Sequence, residues 1–140
     1  LTYLDIRALE NLTGVLKIEG NTGLGDVNLI ALASVDGSIN VVNNAALGSL
    51  VLANLKTVTG DVTVDDNTIL LSCDFSSLQS VGGSIHMHDN AAVQGLSMNE
   101  LTTTGGLSIY KSGVIDVSAP QLASVKESGS MPMIVNGRSV

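Results

Sequence analysis

The chain has 140 residues, the length of a single domain, and carries a net charge of −7 with only 2% aromatic residues. Negative charge repels phosphate, and scarce aromatic residues offer few platforms for stacking bases, so the composition excludes a nucleic-acid-binding surface. Hydrophobic residues make up 44% of the chain, yet no apolar run approaches the ~20 residues of a membrane span.

Nearly the whole sequence repeats one frame, L-x-x-V-x-G-x-I-x-V-x-x-N-x-x-L-x-x-L-x-L. The leucines that open its six copies are Leu9, Leu32, Leu55, Leu78, Leu101 and Leu122. The first four steps between these leucines are each 23 residues long, and the last is 21. A fixed period of this size is typical of solenoids, in which each coil buries its apolar face against its neighbours.

The chain starts inside a coil. Leu1, Leu4 and Ile6 occupy the last three apolar positions of an earlier copy of the frame. We therefore expect residues 1–140 to form a single solenoid domain that is a fragment or processed product of a longer chain.

Each copy contains two alternating apolar pairs, such as Ile39-x-Val41 and Leu50-x-Leu52. This period of two is typical of strands, and β-branched residues favour strands in the first pair. A coil of about 23 residues has no room for a full helix beside two strands and their corners. The frame therefore predicts an all-β fold, a parallel β-helix of about six coils with strands about 4.8 Å apart.

One asparagine recurs at the same place in four copies, at Asn21, Asn44, Asn67 and Asn90. A buried amide at a corner can bond the backbone of the next coil, so these residues predict a structural ladder. The pattern weakens after Leu101. Ser112 stands at the asparagine position of the fifth copy, and the sixth copy has two extra residues before Met131 and Met133, then Asn136.

The single cysteine, Cys73, falls at an inward position that is leucine in neighbouring copies, which predicts a buried thiol acting as a small hydrophobic group. The triplet Asn11-Leu12-Thr13 is an N-glycosylation sequon on residues expected to point outward, so Asn11 is a candidate glycosylation site.

The densest chemistry at outward positions is His86 and His88, with Asp65 one coil away. Two imidazoles on one face of a strand, beside a carboxylate, could bind Zn²⁺ or Cu²⁺. The alternative, which we favour, is a solvated polar face without metal. No set of nucleophile, base and orienting group stands out among the outward residues, so neither catalysis nor a cofactor is predicted.

A second outward strip carries small polar residues, and one copy has the pair Thr57-x-Thr59. Ranks of threonine on a flat sheet can order water, which raises an ice- or mineral-binding hypothesis. Because only one copy has both threonines, glycosylation or solubility explains the strip equally well.

The frame, as it stands in LASVDGSINVVNNAALGSLVL and LQSVGGSIHMHDNAAVQGLSM, resembles the receptor L-domain family. It is most similar to the L-domain-like repeats of fungal GPI-anchored cell-wall proteins. The resemblance covers roughly residues 1–125 and rests on core and corner positions. It implies an extracellular or cell-surface β-solenoid that serves in ligand binding, adhesion or wall architecture and is not an enzyme. Leucine-rich repeats share part of the core pattern but place an apolar residue two positions after the asparagine, where this chain places it three after.

We therefore predict a non-catalytic structural or adhesive module of a cell-surface or fibre-forming protein. Its expected partners are other protein subunits, bound end to end or laterally, and glycans. A protein- or glycan-binding receptor module and an ice- or mineral-surface binder are the alternatives.

Overall fold

In the computed structural model the chain is a parallel β-solenoid of about five turns, each about 23 residues long. The structure describes residues 1–110, 116–125, 134–135 and 138–139. No helix occurs in these ranges, and so none there could cross a membrane. The predicted all-β parallel solenoid is confirmed, with about five turns where six were expected. Met131, Met133 and Asn136 of the expected sixth copy lie outside the described residues.

Nineteen short strands make up the described part of the solenoid. In chain order they are β1 (Tyr3–Asp5), β2 (Asn11–Thr13), β3 (Leu16–Glu19), β4 (Asp26–Asn28), β5 (Ser34–Asp36), β6 (Ile39–Val42), β7 (Ser49–Val51), β8 (Thr57–Val58), β9 (Val62–Asp65), β10 (Ser72–Cys73), β11 (Ser80–Val81), β12 (Ser84–His88), β13 (Gly95–Ser97), β14 (Thr103–Thr104), β15 (Gly106–Tyr110), β16 (Asp116–Ser118), β17 (Ser124–Val125), β18 (Ile134–Val135) and β19 (Arg138–Ser139).

Each coil contributes one strand to each of three faces. The first face contains β1, β4, β7 and β10, followed by the separate pair β13 and β16. The second face is a six-stranded sheet from β2 to β17, and the third is a seven-stranded sheet from β3 to β19. Residues one repeat apart lie opposite each other, as in Ile39 with Val62 and Val62 with Ile85. The constant period thus appears directly as strand register.

The core is a set of aliphatic columns that run along the solenoid axis. The expected inward residues are all at most 1% exposed: Leu32, Ile39, Val41, Leu47, Leu50 and Leu52. Ile85 and Met87 are both fully buried on the same side of β12, as the period of two requires. Each coil is only one strand thick along the axis, so its inward side chains are covered by the coils above and below it.

A left-handed residue turns the chain at the ends of β3, β6, β9 and β12 on the third face. Asn43, Asp66 and Asp89 have φ values of 56°, 55° and 53°, and Gly20 has the same role in the first coil with φ 66°. Asparagine, aspartate and glycine are the residues that adopt this conformation at least cost. The residue that follows in each coil is the recurrent asparagine.

The recurrent asparagines form the predicted ladder. The side-chain oxygen of Asn67 accepts the backbone N–H of Asn44 at 3.1 Å, and the Nδ2 of Asn67 donates to the carbonyl of Val41 at 2.9 Å. Asn90 repeats this pattern one coil later, where its oxygen accepts the N–H of Asn67 at 3.1 Å. Asn44, Asn67 and Asn90 are fully buried, and no buried side-chain polar atom in the described residues lacks a partner.

The opposite corner, between the second and third faces, requires glycine. Gly37 has φ 152°, and a Cβ added to it would overlap the backbone of Gly14 in the preceding coil. The chain passes so close to itself at this corner that larger side chains have no space.

We expect the Asn67→Ala variant to lose about 3 kcal/mol of unfolding free energy, because the substitution removes the partners of two buried backbone groups. The Asn21→Ala variant, at the half-buried end of the ladder, should lose about 1 kcal/mol. Urea unfolding followed by circular dichroism measures both. Equal losses of unfolding free energy in the two variants would contradict a larger stabilising contribution from the buried asparagines.

Candidate functional site

The outward side of β12 holds both histidines. His86 and His88 are two residues apart, so both side chains lie on the solvent face of the third sheet. Their rings meet edge to face with centroids 5.8 Å apart, and the ring of His88 meets Tyr110 similarly at 6.3 Å. The strand pairing places His88 between Asp65 on one side and Tyr110 on the other.

Asp65 lies next to His88, as the sequence predicted, but its main contact is with the backbone. Its Oδ1 accepts the backbone N–H of His88 at 2.9 Å, while Oδ2 is 3.9 Å from the Nδ1 of His88. The second distance allows an attraction between charges when His88 is protonated, and it is too long for a hydrogen bond.

Ser108 completes this cluster, and the sequence did not indicate it. The Nε2 of His88 and the Oγ of Ser108 are 2.9 Å apart and share a hydrogen bond. Ser108 is paired in register with His86, so His88 reaches it diagonally across the strands. Ser108 is only 7% exposed although it pairs with the outward-facing His86. Comparing each outward residue with the residue two positions before its counterpart in the next copy of the frame would have found this pair.

Serine, histidine and aspartate in this order resemble a nucleophile, a base and an orienting group, but the geometry does not activate the serine. Ser108 is buried. The carboxylate of Asp65 does not hydrogen-bond the Nδ1 of His88, so the imidazole is not oriented as such chemistry requires. The cluster therefore works as a polar cross-link between three adjacent coils.

The geometry also fails to assemble a metal site. Among the residues that the structure describes, no three His, Cys, Asp or Glu side chains converge so that they could hold a metal ion. The candidate set of His86, His88 and Asp65 is therefore not arranged as a metal site. One oxygen of Asp65 and one nitrogen of His88 are already engaged by protein groups.

Asn11 lies exposed on β2, the outermost strand of the second face. Its side-chain oxygen accepts a hydrogen bond from the hydroxyl of Ser34 at 2.7 Å. Further along the same face, the hydroxyl of Thr59 donates to Asp36 at 3.0 Å. Side chains of the small polar strip thus hydrogen-bond one another, so the strip is not a uniform row of free hydroxyl groups.

Cys73 is buried and chemically quiet. Burial raises the pKa of its thiol above the ordinary value, and the neighbouring charge of Asp74 raises it further. The thiol therefore stays protonated at neutral pH, and thiolate chemistry is suppressed. Its side chain is 6% exposed and lies at the base of a surface cleft on the first face.

No protein-family model matches the sequence, and no curated protein or solved structure is significantly similar to it.

We expect the stability of the protein to fall above about pH 9, where an unfolded thiol loses its proton and the buried Cys73 does not. Below that pH both states hold the proton and this penalty is absent. Above about pH 9, the free energy of unfolding of the wild type minus that of Cys73→Ala should fall by about 1.4 kcal/mol per pH unit.

Urea unfolding of both chains at pH 8 and pH 10 measures this difference. Tyrosine and lysine are present in both chains, so their contributions cancel when the two free energies are subtracted. A native thiol that reacts with Ellman's reagent as fast as free cysteine would contradict the burial.

Proposed function

We propose that this chain is a non-catalytic structural or adhesive solenoid module of an extracellular, cell-surface or fibre-forming protein. We assign the module to the receptor L-domain type, with the repeats of fungal cell-wall proteins as its proposed relatives, and the likeness of the repeated frame supports this. Two observations support a structural role. The repeated residues have core, corner or ladder functions, and the one polar cluster of suggestive composition is a cross-link between coils.

The observation that carries this proposal is that the repeated side chains form the core and the asparagine ladder, which leaves the outward faces and strand edges for contacts with partners. Four inward side chains in and between the first three strands are half buried, whereas their counterparts one repeat later are at most 1% exposed. The four half-buried residues are Leu4, Leu9, Leu12 and Leu16, and their counterparts are Val27, Leu32, Val35 and Ile39. Strands β1, β2 and β3 are the outer strands of their sheets, so a further parallel strand, from the same polypeptide or from another subunit, can pair with each of them.

The two ends of the third sheet differ. At its far end β19 runs antiparallel to β18, with Val135 opposite Arg138. We therefore favour a parallel contact at β1, β2 and β3, made by a further coil of the same polypeptide or by another subunit. For residues 1–140 alone we take the partner to be a second copy of this chain.

Charge at the first coil is compatible with two copies meeting there. Lys17 and Glu19 pair at 3.0 Å on β3, and Arg7 pairs with Asp5 beside β1. Each of these positive groups is matched by a negative neighbour, which lowers the repulsion between two such surfaces. These exposed pairs add little stability themselves.

We expect the chain to sediment as a dimer at micromolar concentration and Leu12→Lys to sediment as a monomer. The lysine would place an inward charge on the open edge, which natural edge strands use to prevent pairing. Thr13→Lys is the matched control, because it adds the same charge on the outward side of β2 and should remain dimeric.

Analytical ultracentrifugation measures the mass, and circular dichroism checks that each variant is folded. A wild-type chain that stays monomeric at every concentration would contradict the proposed partner.

We expect Asn11 to carry an N-linked glycan when the chain passes through a eukaryotic secretory pathway, because the whole sequon is on an outer strand with Asn11 and Thr13 exposed. Mass spectrometry before and after peptide N-glycosidase treatment measures the change, with Asn11→Gln as the control. A secreted chain with an unmodified Asn11 would remove this support for an extracellular module.

A further inference from the structure

The first face is interrupted between the third and fourth copies of the frame, which open at Leu55 and Leu78. Strand β10 pairs with β7, and β13 pairs with β16, but β10 and β13 belong to different sheets. The same two coils remain paired on the second face through β8 and β11, and on the third face through β9 and β12. The interruption therefore opens one side of the solenoid without separating the coils.

The missing hydrogen bonds leave backbone groups available at this place. The N–H of Gly48 donates to the carbonyl of Gly25 at 2.7 Å, and one coil later Leu71 donates to Gly48 at 2.9 Å. The next step in this series would join Gln94 to Leu71, and the described backbone has no such bond. The N–H of Gln94 and the carbonyl of Leu71 therefore do not pair across the opening.

Phe75 lies beside this interruption. It is the only phenylalanine in the chain and is fully buried. Its counterparts in other coils are Leu29, Leu52 and Met98, whose side chains are narrower or more flexible. We infer that the volume of this rigid ring causes the interruption, because a close-packed core absorbs added volume poorly.

A shallow surface cleft of about 440 Å³ lies at this interruption, and its volume is within the size range of small-molecule sites. Ser72, Ser97, Ser118 and Asp74 line it. The hydroxyl of Ser118 donates to the Oδ1 of Asn99 at 2.9 Å, and one carboxylate oxygen of Asp74 accepts the N–H of Ser76 at 2.9 Å. Leu71, which is 67% exposed, adds an apolar wall. The cleft combines polar groups of both hydrogen-bonding kinds with one apolar surface.

This composition excludes several ligands. The lining has a carboxylate and no basic side chain, so an anion is disfavoured. A full peptide strand would need about twice the usual 4.8 Å strand spacing, and the pairing of the same coils on the other two faces opposes that width.

We propose that the cleft binds a neutral saccharide. Each sugar hydroxyl can both donate and accept, so it satisfies free N–H and C=O groups and serine hydroxyls alike. The C–H face of a pyranose ring can pack on Leu71, and the carboxylate of Asp74 accepts from hydroxyls. The proposed site is separate from the open first coil and does not depend on association there.

The test is a titration of the ¹⁵N-labelled chain with cellobiose, chitobiose and maltose, followed by amide chemical shifts. We expect millimolar binding of at least one disaccharide, with shifts confined to residues 71–74, 95–97 and 118. Gly95→Leu should weaken that binding at least tenfold, because a Cβ at Gly95 meets nothing within 4 Å and the leucine would extend into the cleft without disturbing the fold.

Gly48→Leu is the matched control and should bind as the wild type does. Its added Cβ would lie 3.7 Å from the nearest atom, the carbonyl oxygen of Gly25, and the equivalent residue of the next coil, Leu71, is already leucine. Absence of shifts with all three disaccharides would overturn the proposal, as would shifts elsewhere on the chain or unchanged binding by Gly95→Leu.

The opening itself has an independent readout. The amide of Gln94 should exchange with solvent much faster than that of Leu71, and Phe75→Leu should slow its exchange by allowing the strands to pair. A slowly exchanging Gln94 amide in the wild type would show that the cleft is closed in solution and would also overturn the proposal.

Discussion

The buried asparagine ladder is the interaction on which the rest of this structure depends. A solenoid one side chain deep must turn sharply three times per coil, and each turn leaves backbone groups that water cannot reach. The oxygen of Asn67 satisfies one such group in the preceding coil, and its amide nitrogen satisfies another. These contacts are possible only when the coils have equal length, so the ladder requires the 23-residue period. Register on all three faces follows from it, as does the stacking of Ile39, Val62 and Ile85.

The ladder also explains which other residues are restricted. A left-handed residue must precede each rung to turn the amide inward, and Asn43, Asp66 and Asp89 meet that need. Where coils cross most closely, as at Gly37, only glycine fits. Outward positions carry no such restriction, so they vary from coil to coil. Variation of this kind gives the third face its cross-link between His88 and Ser108, while neighbouring coils have other side chains there.

Much of the fold could be predicted from the sequence because each structural role recurs at a fixed spacing. The strand pairs, the inward leucines and the rungs at Asn44, Asn67 and Asn90 all follow from alignment of the copies. Features that occur once were harder to predict. Phe75 fits the pattern as another apolar residue, and only its volume relates it to the break beside it. Contacts between offset positions, such as His88 with Ser108, are likewise invisible when only equivalent positions are compared.

We propose that function in this molecule depends on places where the repeat is interrupted, such as the cleft beside β10. The central claim, that the buried rungs hold the coils in register, is tested most directly by hydrogen exchange of the asparagine side chains, followed by nuclear magnetic resonance. The account predicts that the Nδ2 protons of Asn44 and Asn67 exchange only through global unfolding, with the same free energy as the most protected backbone amides. Exchange of these protons within minutes in the folded protein would contradict it.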